Sequence, residues 1–286
     1  MLAILLALAA AAGWGTADFL AGTAARRDGS VLRVTVAVYA AGTLVMLALC
    51  LASWQHRDKV ALSPVLWGAL SGVGSGTGAL FLVAGFRRAP FSVAGPLSAL
   101  VGAALPALAG VALGERPAGM AWAGIALAFP ALALVSASSG GRGQRGGLAG
   151  VTLGIAAGIG CGISLAALAK TTAAAGLWPL LAMQAAALLV TLAVAALSGN
   201  LHRPGPRSRL LSGASGITSA LAAVWYLAAV HAGMLTVVAV VTSLFPAATI
   251  ILARACDRER LGLMRLAGLL VAAVSVSLIA ASGVAG

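Results

Sequence analysis

Ten apolar blocks, each about as long as a bilayer is thick, constrain this chain more than any other feature of its sequence. They run over roughly 2–25, 34–54, 64–86, 91–113, 119–138, 148–170, 177–198, 209–231, 234–253 and 262–284. A helical span needs about 20 predominantly apolar residues, and every block meets that length. Short polar punctuation separates them: "RRDGS", "QHRDK", "FRRAP", "GERPAG", "SSGGRGQRGG", "RPGPRSR" and "CDRER". No block shows the strict alternation of a membrane-barrel wall, so the spans are predicted to be helices. Only 8% of the 286 residues are charged, against about 25% in a typical soluble domain. A surface so poor in charge has to be solvated by lipid, which predicts an all-α integral membrane protein. The first block lacks the basic leading region of a signal peptide and carries Asp18 in its body, so it reads as a retained span.

The net charge of +12 does not point to nucleic acid, because the basic residues stand singly or in pairs between apolar blocks. Their distribution bears on topology instead. Loops one, three, five, seven and nine with their helix ends hold fourteen: Arg26, Arg27, Arg33, Arg87, Arg88, Arg142, Arg145, Arg203, Arg207, Arg209, Arg254, Arg258, Arg260 and Arg265. The even loops hold four: Arg57, Lys59, Arg116 and Lys170. The positive-inside tendency then places the odd loops in the cytoplasm and both termini outside. Cys50, Cys161 and Cys256 have no metal or redox spacing. No nucleophile elbow, metal-ligand cluster, phosphate-binding glycine loop or nucleotide-binding segment is present. Neither an enzyme, a metal nor a cofactor is expected, and pumping would have to draw on an ion or solute gradient.

The chain repeats itself. Under a shift of 144 residues "SGVGS" (Ser71–Ser75) falls on "SGITS" (Ser215–Ser219), and Glu115–Arg116 falls on Glu259–Arg260. Near the start a shift of 145 brings "AAGWG" (Ala11–Gly15) onto "AAGIG" (Ala156–Gly160). Small-residue matches are cheap in an alanine-rich chain, but an in-register Glu-Arg pair is not. Two five-helix repeats are therefore expected, residues 1–140 and 148–286. Five is odd, so the second repeat enters the bilayer from the opposite side. Such an inverted repeat places a shared cavity near the midplane and suits alternating access.

Three of these segments carry a family resemblance. "AAGWGTADFL" resembles the opening signature of EamA-domain members of the drug/metabolite transporter superfamily. "SLFPAATIILARACDRERL" (Ser243–Leu261) resembles their ninth-helix pattern, and "SALVGAALPALAGVALGERP" (Ser98–Pro117) is its equivalent in the fourth helix. The fourth helix departs from the pattern, with Gly102 where Pro246 stands and its own proline at Pro106. The resemblance covers essentially the whole chain. It implies a secondary carrier, often an exporter of amino acids or related metabolites, commonly driven by protons. It also implies termini in the cytoplasm, the reverse of the charge count.

Of the six acids, only Asp18 lies well inside a block; Asp28, Asp58, Glu115, Asp257 and Glu259 lie in or beside the punctuation. An ionised carboxylate near the bilayer centre costs at least about 2.5 kcal/mol. It therefore faces a cavity or a partner, and a carboxyl there is suited to proton coupling or cation binding. The bland alternative is a structural acid bonded to a neighbouring helix. Its counterpart under the 145 shift is Ile163, so a coupling site here would be asymmetric. Ser71, Ser75, Ser215 and Ser219 are candidates for lining the cavity with hydroxyls, against close helix packing as the plainer role. Tyr39 and Gln184 occupy matching places and are cavity candidates. Trp14, Trp225 and Tyr226 could wall the solute, against interfacial anchoring. Glu115, Arg116, Glu259 and Arg260 read as a structural turn motif, in which the carboxylate accepts free amides of the following helix. Pro96, Pro106, Pro130 and Pro246 are places where a helix ladder is interrupted.

These features together describe a multi-pass carrier in the cytoplasmic membrane that moves a small solute, with protons as the coupling ion. A monomer suffices for this reading. A passive facilitator, an assembly scaffold or, less readily, a membrane-embedded lipid enzyme are the alternatives. On the charge count, Gly143→Cys in a cysteine-free chain reacts with an impermeant maleimide only after the cell membrane is opened; reaction in intact cells would favour the opposite orientation.

Overall fold

In lipid, a spanning segment has to satisfy its backbone N–H and C=O groups internally, and each apolar block answers by coiling. The computed structural model describes residues 1–53, 61–88, 91–137, 147–199, 205–257 and 263–282. Their helices are α1 (Leu2–Asp28), α2 (Val31–Ala52), α3 (Leu62–Arg88), α4 (Phe91–Ala112), α5 (Gly119–Ala137), α6 (Gly147–Leu168), α7 (Trp178–Leu197), α8 (Pro206–Ala232), α9 (Leu235–Thr242), α10 (Phe245–Asp257) and α11 (Leu263–Ser282). Among the described residues, seven helical stretches are long and apolar enough to cross a membrane, and Leu97–Ala112 and Gly119–Ala131 are shorter apolar helices. The protein is thus an integral, multi-pass membrane protein.

Among the described residues the ten blocks give eleven α-helices because the ninth is broken. α9 stops at Thr242, a turn follows, and α10 starts at Phe245. Pro246 has no N–H to offer the carbonyl of Thr242, so the ladder cannot continue. The remaining internal prolines do not have this effect: α4 runs on through Pro96 and Pro106, and α5 through Pro130.

The turns follow from their sequences. In "RRDGS", Gly29 takes a left-handed conformation (φ 74°) and donates its N–H to the Ala25 carbonyl, ending α1. Ser30 Oγ then accepts from Arg33 N at 3.4 Å and caps α2. Asp28 pairs with Arg33 at 2.9 Å, and its Oδ1 accepts the Gly205 N–H ahead of α8 at 3.0 Å. Loops one and seven therefore meet. At the other end, His231 Nε2 donates to the Thr171 carbonyl at 3.0 Å, joining loops six and eight.

α1 packs along α8 and against α9 and α10; α3 packs along α6 and α7; α2 contacts α7 and α8; α4 contacts α6 and α9; α5 pairs with α11. Missing side chains permit these approaches. A methyl at Gly72 of α3 would strike the Met183 carbonyl of α7, and one at Gly216 of α8 would strike the Val38 carbonyl of α2. Tyr226, Met46, Leu168, Leu180 and Val238 form part of a fully buried cluster drawn from α1, α2 and α5–α9.

Substitutions at two glycines separate close packing from helix propensity. Gly72→Val is expected to cost about 1–3 kcal/mol through overpacking and to lower the thermal-unfolding midpoint in detergent. Gly213→Ala, where a methyl meets nothing within 4 Å, is expected to leave that midpoint unchanged or raise it slightly.

Candidate functional site

The helices leave a cavity between α1–α4, α6–α10, with about 130 Å³ reachable by the centre of a water-sized molecule. α1 presents Trp14, Ala17, Asp18 and Ala21 to it, residues that share one face by helical spacing. That face is pinned on both sides: Ser215 Oγ of α8 donates to the Ala17 carbonyl at 2.8 Å, and Thr249 Oγ1 of α10 donates to the Gly15 carbonyl at 3.0 Å. At Gly15 an added methyl would strike the Phe245 carbonyl and lie 2.6 Å from Ala248 Cβ, so α1 lies directly on the first turn of α10.

Asp18 is the one charged side chain among the described lining residues, and no Lys, Arg or His of that set faces the cavity. The described ion pair is Asp28–Arg33, away from the cavity. The remaining wall is hydroxyl, aromatic and small apolar. Tyr39 OH donates to the Ser75 carbonyl at 2.8 Å and lies 2.7 Å from Ser75 Oγ, which ties α2 to α3. Ser98, Cys161, Ser164, Ser219, Thr242, Ser243 and Phe245 complete much of the lining. Thr242 Oγ1 is buried without a hydrogen-bond partner.

Six of the residues expected at the cavity line it: Asp18, Trp14, Tyr39, Ser75, Ser215 and Ser219. The other four are elsewhere. Ser71 is fully buried, its Oγ 2.8 Å from Ser164 Oγ, and serves the α3–α6 contact. Gln184 is buried against Gly42, where its side chain fills the space a methyl would need. Tyr226 is completely buried, donates its hydroxyl to the Leu165 carbonyl at 3.1 Å, and packs tilted on Trp14 with ring centroids 5.5 Å apart. Trp225 is partly exposed and abuts Gly13. Thr242, Ser98, Cys161 and Phe245 were not evident from the sequence; Thr242 could have been found as the residue four before Pro246, whose carbonyl that proline deprives of its helical partner.

Glu115 departs from the expectation that it would serve the helix that follows it. Its carboxylate accepts from Leu235 N at 2.7 Å, Thr236 N at 2.8 Å and Thr236 Oγ1 at 2.7 Å. It therefore caps α9, more than a hundred residues away, and joins the end of α4 to the start of the broken span. Free amides and the positive end of the α9 dipole favour a carboxylate there. Arg116 is exposed. Glu259 and Arg260 lie outside the described residues. Among the described residues, no group of three His, Cys, Asp or Glu could hold a metal ion.

With this geometry in place, comparison with known proteins adds the following. The profile of the EamA-like transporter family matches residues 1–137, the stretch that forms α1–α5. That segment is thus EamA-like, and the family points to a membrane transporter of the drug/metabolite transporter superfamily, a class whose members are transporters and not enzymes. A solved structure, titled only as a crystal structure of a protein, superposes with a TM-score of 0.76 over 96% of this chain and 94% of its own, at 18% identity. It shares the fold of this chain. No curated protein matches the sequence.

The α9 cap is testable by substitution. Glu115→Ala is expected to cost on the order of 2 kcal/mol, the scale of charge-assisted hydrogen bonds, read as a lower unfolding midpoint in detergent. Glu115→Gln, which keeps an acceptor, is expected to lose less.

Proposed function

We propose that this chain is a secondary carrier of a small metabolite in the cytoplasmic membrane, built from two oppositely inserted repeats, residues 1–140 and 148–286, and coupled to protons through Asp18. The packing supports the repeat. α1 lies on α8 as α6 lies on α3, α2 on α8 as α7 on α3, and α4 on α6 as α9 and α10 on α1. The glycine contacts agree in detail. Gly216 approaches the Val38 carbonyl as Gly72 approaches that of Met183, with shifts of 144 for the glycines and 145 for the carbonyls.

For α1 and α6 the packing favours a different register from the one read by eye. Gly13 abuts Ala222 and Trp225 of α8, whereas Gly160 abuts Gly74 and Gly78 of α3. Gly15 abuts Ala248 of α10, and Gly162 abuts Leu105 of α4. These pairs correspond under a shift of 147, not 145. Asp18 then matches Leu165, which lines the cavity, and not Ile163, which is 41% exposed. The coupling site on this reading is one acid facing an apolar equivalent.

The observation that carries the function is the cavity itself: enclosed by helices of both halves, sized for a small solute, and holding a single carboxyl. Export of amino acids or related compounds is the role the family resemblance favours. In proteoliposomes the wild-type chain is expected to accumulate solute when a pH gradient is imposed. Asp18→Asn is expected to lose that accumulation while retaining counterflow exchange. Full proton-driven transport by Asp18→Asn would remove the coupling role, and absence of any transport by the wild type would remove the carrier reading.

A further inference from the structure

The lining of the cavity is one-sided in charge, and the break in the ninth span adds to that bias. α9 ends with Thr242 and Ser243 at the cavity wall. The end of a helix carries the negative pole of its dipole in carbonyls that have no helical partner, and broken helices present such carbonyls to cations inside membranes. The turn is closed by Ser243 N to Ala239 O at 3.0 Å and Leu244 N to Val241 O at 3.2 Å. Pro246 contributes no N–H, so the Thr242 carbonyl lacks the donor that a continuous helix would supply. The Thr242 hydroxyl, 1% exposed, has no partner either. The hydroxyls of Tyr39, Ser215 and Ser243 donate to backbone carbonyls, and Ser164 Oγ lies 2.8 Å from Ser71 Oγ. Asp18 and the end of α9 thus bring a carboxylate, an unpartnered hydroxyl and a carbonyl without its helical donor to one cavity.

We propose that the cavity holds a subsite for an organic ammonium group, formed by the Asp18 carboxylate, the Thr242 hydroxyl and the carbonyl end of α9. This rests on the reading of the cavity as the solute's place in a carrier, and it names the chemical class of that solute. Carboxylate, hydroxyl and carbonyl oxygens all accept hydrogen bonds from N–H donors. Trp14, Tyr39 and Phe245 line the same cavity, and aromatic rings suit a cation with an apolar body. An anionic solute meets no described basic group there.

Equilibrium dialysis of the purified full-length chain in detergent against radiolabelled benzylamine, charged at neutral pH, tests this without requiring transport. Saturable binding is expected, displaced by unlabelled benzylamine but not by benzyl alcohol, benzoate or sodium chloride at the same concentration. Asp18→Asn is expected to abolish it, Thr242→Val to weaken it by about tenfold, and Thr242→Ser to bind like the wild type, each variant eluting as the wild type in size exclusion. Absence of saturable binding, displacement by the alcohol, by benzoate or by sodium, or unchanged binding in Thr242→Val would each overturn the subsite. If Asp18→Asn does not fold, the threonine pair and the displacement series still decide. A wild-type chain that transports solutes in proteoliposomes yet binds no benzylamine would refute the ammonium subsite and leave the carrier standing. Binding without any transport would do the reverse.

Discussion

Helices in a bilayer gain little by hiding apolar side chains from one another, because the lipid tails are as apolar as they are. What remains is contact, and contact is closest where side chains are absent. This constraint governs the molecule. At Gly72 and Gly216 the backbone of one helix rests against a carbonyl of the next, Gly15 and Gly160 do the same for α1 and α6, and Gly13 and Gly162 seat side chains of α8 and α4. Helices drawn in so tightly at these points diverge elsewhere, and the cavity is the space left between them. Serines mark the boundary. Ser71 belongs to a closely packed face, Ser75 and Ser219 stand at the cavity wall, and Ser215 does both, lining the cavity while bonding α8 to α1.

The helical class, seven membrane-length spans among the described residues and the glycine-rich third and eighth segments were legible in the sequence because each follows from a local property: apolar length, charge depletion and small-residue spacing. Six of ten cavity candidates were legible for a related reason, since a polar residue within an apolar block has few places to go. The misses share a cause. Gln184 and Tyr226 are polar but long, and each finds its partner or its seat in the packing of another helix, which no local pattern reveals. Glu115 was assigned to its neighbour in sequence when its partners lie in α9. In the proposed repeat, alanine and glycine align α1 with α6 about as well in either register, which hides a two-residue slip.

On the proposed repeat, Asp18 would give two like halves different chemistry. Leu165 lines the same cavity at the position that the packing register makes its counterpart. A duplicated scaffold would supply two like halves, whereas a binding pole needs only one charge. A second carboxyl in so small a space would repel the first and raise the cost of placing either in the membrane.

The ninth span differs from the fourth in mechanical kind as well as in sequence. α4 is unbroken from Phe91 to Ala112, so no turn divides it. α9 is anchored at its start by Glu115, on the end of α4, and is separated from α10 by a turn. A swing of α10 about that joint breaks no helical hydrogen bond. The wall of the cavity thus has a joint at the ninth span and none at the fourth, so the two sides differ in where the backbone can bend.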